Sequence, residues 1–353
     1  MPIVQCVAFV RRLFVYSLTA FRLKHMTLLD HRLLQQDFDS GMDLTAHVGN
    51  TPLLPLRRLS RDLSPRVKVF AKAEWFNPGG SVKDRPAINI IQTALASGDL
   101  AKGKRLLDST SGNMGISYAT FGAALGIPVT FALPASASPE RITMLRVLGA
   151  ELILTDPTEG SDGAILKARE LAAAEPGKYW YANQYNNDAN WQAHYKSTGP
   201  EILCQTDEKV THFVAGLGTS GTLMGTGRYL REQVSNIKII SFQPDASFHG
   251  LEGLKHMPTA IKPGIYDESL ADENLDVVTE DAHKMVLRLA REEGLFVGIS
   301  SGAAAVAALR VAEQLEEGVV VTLFPDAGYK YLSDKSLWES PLPVRAPFGD
   351  DKG

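Results

Sequence analysis

The stretch Lys104-Arg105-Leu106-Leu107-Asp108-Ser109-Thr110-Ser111-Gly112-Asn113-Met114-Gly115 decides the architecture. Lys104 to Asp108 reads as a short strand. Ser109 to Asn113 is a polar turn. A helix of small residues follows from Gly115 to Leu125, and Ile127 to Leu133 is a second buried strand. A strand returned by a helix to another strand is the βαβ unit of a parallel sheet.

The rhythm continues outward. Helix Pro139 to Leu148, with Ser138 placed as its N-cap, leads to strand Glu151–Thr155, helix Asp162 to Ala174 and strand Lys178 to Ala182. A second block carries strand His212 to Ala215, helix Thr222 to Gln233, strand Ile237 to Phe242 and helix Thr279 to Glu293, whose apolar stripe runs through Met285 and Leu289. Strand Phe296 to Ile299 then turns at Ser300-Ser301-Gly302 into an alanine-rich helix, and Val319 to Phe324 is the last strand. Upstream, Val67 to Phe76 alternates as a strand. The pattern predicts an α/β protein with two parallel sheets, each covered by helices on both faces, and a ligand cleft at the carboxyl ends of the strands. The least regular internal segment, Asp245 to Leu275, predicts a functional or mobile loop.

Composition narrows the function. The chain has 353 residues, 44% apolar and 22% charged, enough for a large core and two domains. A formal net charge of −4 argues against a nucleic-acid partner. Cys6 and Cys204 are the only cysteines, which excludes a disulfide framework and predicts a reducing, cytoplasmic compartment. Cys204 is expected as a small core residue. No histidine or cysteine spacing suits a metal. Val4 to Phe21 is apolar but broken by Arg11-Arg12, so no run is long enough to span a bilayer. Residues 1–44 are expected to be an extension without a catalytic role, with Met26 and Met42 as alternative starts.

Four motifs carry chemistry. Lys83 ends the turn Asn77-Pro78-Gly79-Gly80-Ser81-Val82-Lys83, where a strand passes to a helix. An amine in such a corner suits a lysine that holds a carbonyl cofactor as a Schiff base. Gly216-Leu217-Gly218-Thr219-Ser220-Gly221-Thr222 also joins a strand to a helix. Its glycines let N–H groups converge at a helix N-terminus, a cradle for one phosphate. It is not a P-loop, because no Gly-Lys-Ser/Thr follows. Ser109 to Gly115 offers hydroxyls and an amide to a carboxylate, although the same residues serve as a helix cap. Gly298-Ile299-Ser300-Ser301-Gly302 places a hydroxyl that suits a heteroaromatic nitrogen or, again, a cap. Lysine, phosphate cradle and ring-nitrogen hydroxyl together meet the needs of pyridoxal 5′-phosphate, and the carboxylate site suits an amino-acid substrate.

With these motifs in this order, the chain resembles the fold-type II pyridoxal-phosphate enzymes of the cysteine synthase and cystathionine β-synthase branch. The likeness spans roughly Val48 to Ser333 and includes Asn50-Thr51-Pro52-Leu53, Gly80 to Arg85, Thr110-Ser111-Gly112-Asn113, Gln184-Tyr185-Asn186-Asn187, Gly218 to Thr222 and Ser300-Ser301-Gly302. Gly79 to Arg85, His194 to Glu201 and Gly250 to Pro263 are similar to the cysteine synthase B type. The resemblance implies a tryptophan synthase β-like fold with three-layer domains and the cofactor between them. Residues 77–187 would form the smaller domain, 45–76 with 188–345 the larger, and 346–353 a tail. It implies that Lys83 forms the Schiff base, Asn113 contacts the ring hydroxyl, Gly218, Thr219, Ser220, Gly221 and Thr222 hold the phosphate, and Ser300 bonds the pyridine nitrogen. Thr110, Ser111, Gly112 and Gln184 would bind the substrate carboxylate.

The family loop usually carries threonine where this chain has Met114, which changes the carboxylate site. Lys255 and His256 stand where relatives often carry arginine, placed to receive an anion on the substrate. The implied reaction is β-replacement on O-acetylserine or O-phosphoserine with sulfide or another thiol donor. Cystathionine β-synthase or serine/threonine dehydratase chemistry are the alternatives on the same scaffold. A weakly active partner of serine acetyltransferase is the alternative of another class. The implied partners are a second copy of the chain, serine acetyltransferase or a sulfur-carrier protein.

Overall fold

The computed structural model describes residues 43–338, apart from 102, 111 and the side chain at 336. Residues 1–42 and 339–353, which include the two alternative starts and the tail, lie outside it.

Among the described residues, strands form two sheets. β1 (Leu53–Pro55), β2 (Val67–Ala73), β7 (His212–Gly216), β8 (Lys238–Pro244), β9 (Glu273–Val277) and β10 (Gly318–Phe324) make a six-stranded sheet in the order β1-β2-β10-β7-β8-β9. β3 (Arg105–Ser109), β4 (Val129–Pro134), β5 (Glu151–Thr155) and β6 (Tyr179–Tyr181) make a four-stranded sheet in the order β5-β4-β3-β6. Every pairing is parallel except the short edge pair β1–β2. Parallel strands need crossovers, and the helices supply them. In chain order these are α1 (Asp84–Ser97), α2 (Asn113–Leu125), α3 (Pro139–Val147), α4 (Gly160–Ala174), α5 (Asp188–Lys196), α6 (Thr198–Gln205), α7 (Gly221–Gln233), α8 (Thr279–Arg288) and α9 (Ile299–Ala312).

Each sheet has its own apolar packing. Leu106, Phe131 and Leu133 of the smaller sheet pack with Ile90 and Ile91 of α1 and Phe121 of α2. On the larger sheet, Val69, Val214, Ile240 and Val320 pack under α8 and α9. α9 is buried almost throughout, and its alanines let it lie close to its neighbours. Gly302 marks a close approach to α8, since a Cβ there would sit 2.3 Å from the Ala282 carbonyl oxygen.

Several expectations are corrected. Phe296 to Ile299 is not a strand. Val297 makes one isolated bridge to Ala327, and α9 begins at Ile299. Both sides of β10 are already taken by β2 and β7, so this apolar run finds no free sheet edge beside it. The helix from Thr279 is α-helical only to Arg288 and finishes as a π turn, Leu289–Glu293. Val67 to Phe76 is a strand only to Ala73, followed by a 3₁₀ turn, Glu74–Phe76. Ser138 occupies the N-cap position of α3 but makes no capping hydrogen bond. Cys204 is exposed rather than in the core, because it sits on the outer face of the short helix α6.

Candidate active site

The turn that carries Lys83 is braced on every side. Asn77 Oδ1 accepts from the Gly49 N–H at 2.8 Å, and its Nδ2 donates to the Glu74 carbonyl at 2.8 Å. Gly80 has a left-handed backbone, φ 73°, and a Cβ there would lie 2.6 Å from the Tyr329 hydroxyl. The Val82 N–H donates to the Pro325 carbonyl at 2.8 Å, and Ser81 forms a bridge with Asp326. The turn is therefore stitched to the segment that leaves β10. In the next turn of chain, Asp84 accepts from the Gly79 N–H and the Ser117 hydroxyl, and burial pushes its carboxyl up to about 6. Arg85 pairs with buried Glu74 at 2.7 Å and with Glu201 at 2.7 Å, and this network anchors α1.

Lys83 thus sits at a fixed corner facing a cavity of about 170 Å³. Burial pushes its amine down, while the carboxylates of Asp326 and Glu74 act in the opposite direction. Its Nζ makes no hydrogen bond among the described residues, which leaves the nitrogen free to react.

The segment between β7 and α7 forms the facing wall. Ser220 has φ 66°, and its buried Oγ has no hydrogen-bond partner. A buried hydroxyl left without a partner calls for a ligand or water. Gly218 is a second sign of a shaped cradle, because a Cβ there would come within 2.4 Å of the Gly253 carbonyl oxygen. The Lys255 N–H donates to the Leu217 carbonyl at 2.7 Å and ties the cradle to the 245–272 segment. Behind Thr222 lies His194, fully buried, with the Thr222 hydroxyl 3.4 Å from Nε2 and the Thr198 hydroxyl 2.9 Å from Nδ1. Burial holds this imidazole well below its ordinary range, so it is neutral. Ser300, 6% exposed, enters the same cavity from the first turn of α9 rather than from a strand end.

The smaller sheet supplies the remaining wall. Thr110 Oγ1 accepts from the Gly115 N–H at 2.9 Å and the Gly112 N–H at 3.3 Å, so this hydroxyl braces the start of α2 while lining the cavity. Gln184 Nε2 donates to the Ser109 carbonyl at 2.7 Å. Met114 lines the cavity and is 3% exposed, packed into the core of the smaller sheet. Asn113 also lines the cavity, with its amide held between Asp326 and Lys330. Ser111 lies outside the described residues.

Two ion pairs involve residues that line the cavity. Arg141 of α3 grips Glu252 with its two terminal guanidinium nitrogens, and Lys255 reaches Asp162 of α4 at 3.2 Å. Lys255 also lies 5.1 Å from the centre of the Tyr185 ring. His256 points elsewhere, to the Thr259 hydroxyl at 2.8 Å.

Residues 44–326 match the profile of the family described as pyridoxal-phosphate dependent enzyme. The chain belongs to that family. The cysteine synthase of Aquifex aeolicus is 53% identical over 291 residues, which cover 81% of this chain and 89% of that relative. Cysteine synthase B of Escherichia coli is 42% identical, covering 81% of this chain and 93% of its own length. Among solved structures, the cysteine synthase of Entamoeba histolytica superposes with a TM-score of 0.81 at 35% identity, covering 86% of this chain and 93% of that one. The cofactor of this pyridoxal-phosphate family is a phosphorylated aromatic aldehyde. The unbonded amine of Lys83, the orphaned hydroxyl of Ser220 and the close-packed cradle at Gly218 fit such a group.

Sequence reasoning missed several residues of the site. Asp326, Lys330 and Arg141 carry no motif of their own, Glu252 lies unremarked within the stretch Gly250 to Pro263, and Asp108 stood unremarked beside a motif. Asp108 lies at the end of β3, accepts the N–H groups of Ser109 and Gln184, and is pushed by burial up to about 7. The available signal was position. Asp108 and Asp326 both sit where parallel strands end, as the predicted motifs do.

Proposed function

We propose that this chain uses pyridoxal 5′-phosphate to replace the β-substituent of an O-activated L-serine with sulfide or another thiol, giving L-cysteine or an S-substituted cysteine. The carrying observation is that Lys83, with an amine depressed by burial, opens into the same cavity as the Gly218–Thr222 cradle and Ser300. The kinship with cysteine synthases supports the reaction class.

The residues divide the work by chemistry. When bound, the cofactor accepts the electron pair left at the substrate Cα. Lys83 carries the cofactor and, once freed, is the base that takes the Cα proton. A lysine must have its pKa lowered for this task, to roughly 7–8 in comparable enzymes, and burial acts in that direction here. Gly218, Thr219, Ser220, Gly221 and Thr222 hold the phosphate through N–H groups and hydroxyls at the start of α7. The neutral His194 backs Thr222. Ser300 meets the ring nitrogen with an uncharged hydroxyl. Thr110, Ser111, Gly112 and Gln184 take the substrate carboxylate, and Met114 shapes that end of the cavity without donating a hydrogen bond. Lys255 faces the substrate's leaving group and is balanced by Asp162 until an anion arrives. The same reading includes a homodimer in the cytoplasm, with serine acetyltransferase or a sulfur-carrier protein as partner.

The test is product analysis. Purified protein with pyridoxal phosphate and sulfide should convert O-acetylserine or O-phosphoserine to cysteine, with one acetate or phosphate released per cysteine. Pyruvate and ammonia in place of cysteine would move the assignment to a dehydratase. No turnover of either serine ester would remove it.

A further inference from the structure

The amide of Asn113 is held from both sides by opposite charges. Lys330 Nζ donates to Asn113 Oδ1 at 2.8 Å. Asn113 Nδ2 donates to Asp326 Oδ2 at 2.7 Å. Both charged partners are buried, Lys330 to 2% exposure and Asp326 to 0%. An amide looks nearly the same when turned over, and only its neighbours decide which end is nitrogen. Here the neighbours leave no ambiguity. The flipped amide would press its NH₂ against an ammonium and its carbonyl against a carboxylate.

A primary amide has two N–H bonds. Asp326 takes one, and the other has no partner among the described residues. Asn113 lines the cavity, so that second N–H is the donor it can offer to a ligand. Lys330 and Asp326 are themselves fixed. Lys330 also donates to the Gly79 carbonyl at 3.1 Å, in the turn that leads to Lys83. Asp326 Oδ2 accepts from the Tyr331 hydroxyl at 2.8 Å, and the residue bridges to Ser81. Burial lowers the Lys330 amine, but the Asp326 and Asp84 carboxylates oppose that shift.

We propose that Lys330 and Asp326 are positioning residues that lock the Asn113 amide so that its unused N–H faces the ring oxygen of the bound cofactor and holds that oxygen in its anionic form. The inference rests on the cofactor reading above and adds to it the pair of residues that sets the cofactor's electronic state. Hydrogen-bond donation to an anion favours the anion. A carbonyl turned toward the same oxygen would favour its protonated form. The two forms of a lysine-bound pyridoxal ring absorb differently, the anionic one in the visible and the protonated one in the near ultraviolet.

The experiment is absorption spectroscopy of the holoenzyme in wild type, Lys330→Met, Asn113→Ala and the double variant. Lys330→Met should lower the visible to near-ultraviolet ratio by about tenfold, the scale of one lost charge-assisted hydrogen bond. Lys330→Arg should restore it. In the Asn113→Ala background, Lys330→Met should change the ratio by less than about twofold, because residues that act as one unit are not additive. A wild-type ratio in Lys330→Met overturns the inference. So does an equal shift whether or not Asn113 is present, since lysine would then act by another route. If Lys330→Met does not fold, Lys330→Gln keeps a donor to Gly79 while removing the charge, and it is judged by the same ratio. A wild-type protein that shows neither band after incubation with pyridoxal phosphate would instead remove the cofactor reading, and the clamp with it.

Discussion

Two turns in this molecule share one design and differ in finish. Residues 109–115 and 216–222 each lead from a parallel strand to a helix through glycines and hydroxyls. The second turn is left open, with the Ser220 hydroxyl unbonded and its glycines pressed against Gly253 and Asn190. In the first, the Thr110 hydroxyl braces the start of α2 and the Gln184 amide serves the Ser109 carbonyl, while the buried Ser109 hydroxyl is unbonded as well. An open cradle can receive a permanent ligand without rearrangement. Thr110, by contrast, can take a ligand only by exchanging its internal hydrogen bonds, which suits a substrate that comes and goes. Local sequence sets what donors exist, and the tertiary neighbours set which of them are free.

The comparison can be broken most decisively at the residue both turns face. Lys83→Ala should remove the visible absorbance of bound cofactor and lower kcat by about a thousandfold or more, as for loss of a covalent catalyst. A variant with an unchanged spectrum would refute the assignment of Lys83. Next in size is the open turn. Gly218→Ala drives a methyl group into the Gly253 carbonyl, which is backbone and cannot swing aside. Cofactor affinity, measured by equilibrium dialysis, should fall by about tenfold to a hundredfold, the range of one to two lost hydrogen bonds to a charged group. KM for the amino-acid substrate should change less. Unaltered cofactor affinity would mean that the turn is only a tight corner.

The first turn gives smaller effects. Met114→Thr returns a hydroxyl to the carboxylate side but removes a buried apolar side chain from the core of the smaller sheet. KM for the serine ester should fall by about threefold to tenfold, as for one added neutral hydrogen bond, while the melting temperature drops. Equal KM values would make Met114 a packing residue alone.

Asp108 tests the brace beneath the same turn. Its carboxyl is raised by burial from an ordinary 3.8 to about 7, so the folded protein binds this proton more tightly than the unfolded chain does. The resulting stability is fully present below about pH 4 and is lost as pH rises toward 7. Asp108→Asn mimics the protonated form and should flatten Tm against pH across that window. A profile parallel to wild type would show that Asp108 is ionised throughout.

Legibility in the sequence followed the range of the forces involved. The alternation of strands and helices was readable because buried parallel strands must be apolar and their crossovers helical. The turns at Lys83 and Gly218 were readable because glycine and hydroxyl residues cluster where a strand passes to a helix, whereas Ser300 lies in the first turn of α9. Phe296 to Ile299 was misread because an apolar run becomes a strand only beside a free edge, and β10 has none. Cys204 was misplaced because residue type alone does not say which face of a short helix looks outward. Ser138 was assigned a capping bond that its surroundings do not supply.

The chain by itself determined the order of elements and the places where Lys83 and the glycine-rich 216–222 turn join a strand to a helix. These follow from local periodicity and from residue types whose chemistry is intrinsic. The folded structure alone decided that Thr110 is spent on a cap while Ser220 is not, and that Arg141 closes on Glu252. It alone decided that Lys330 and Asp326, 217 and 213 positions from Asn113, grip its amide. Partners so distant in sequence meet only when two sheets bring their strand ends to one cavity, and burial there makes each charge act on its neighbour rather than on water.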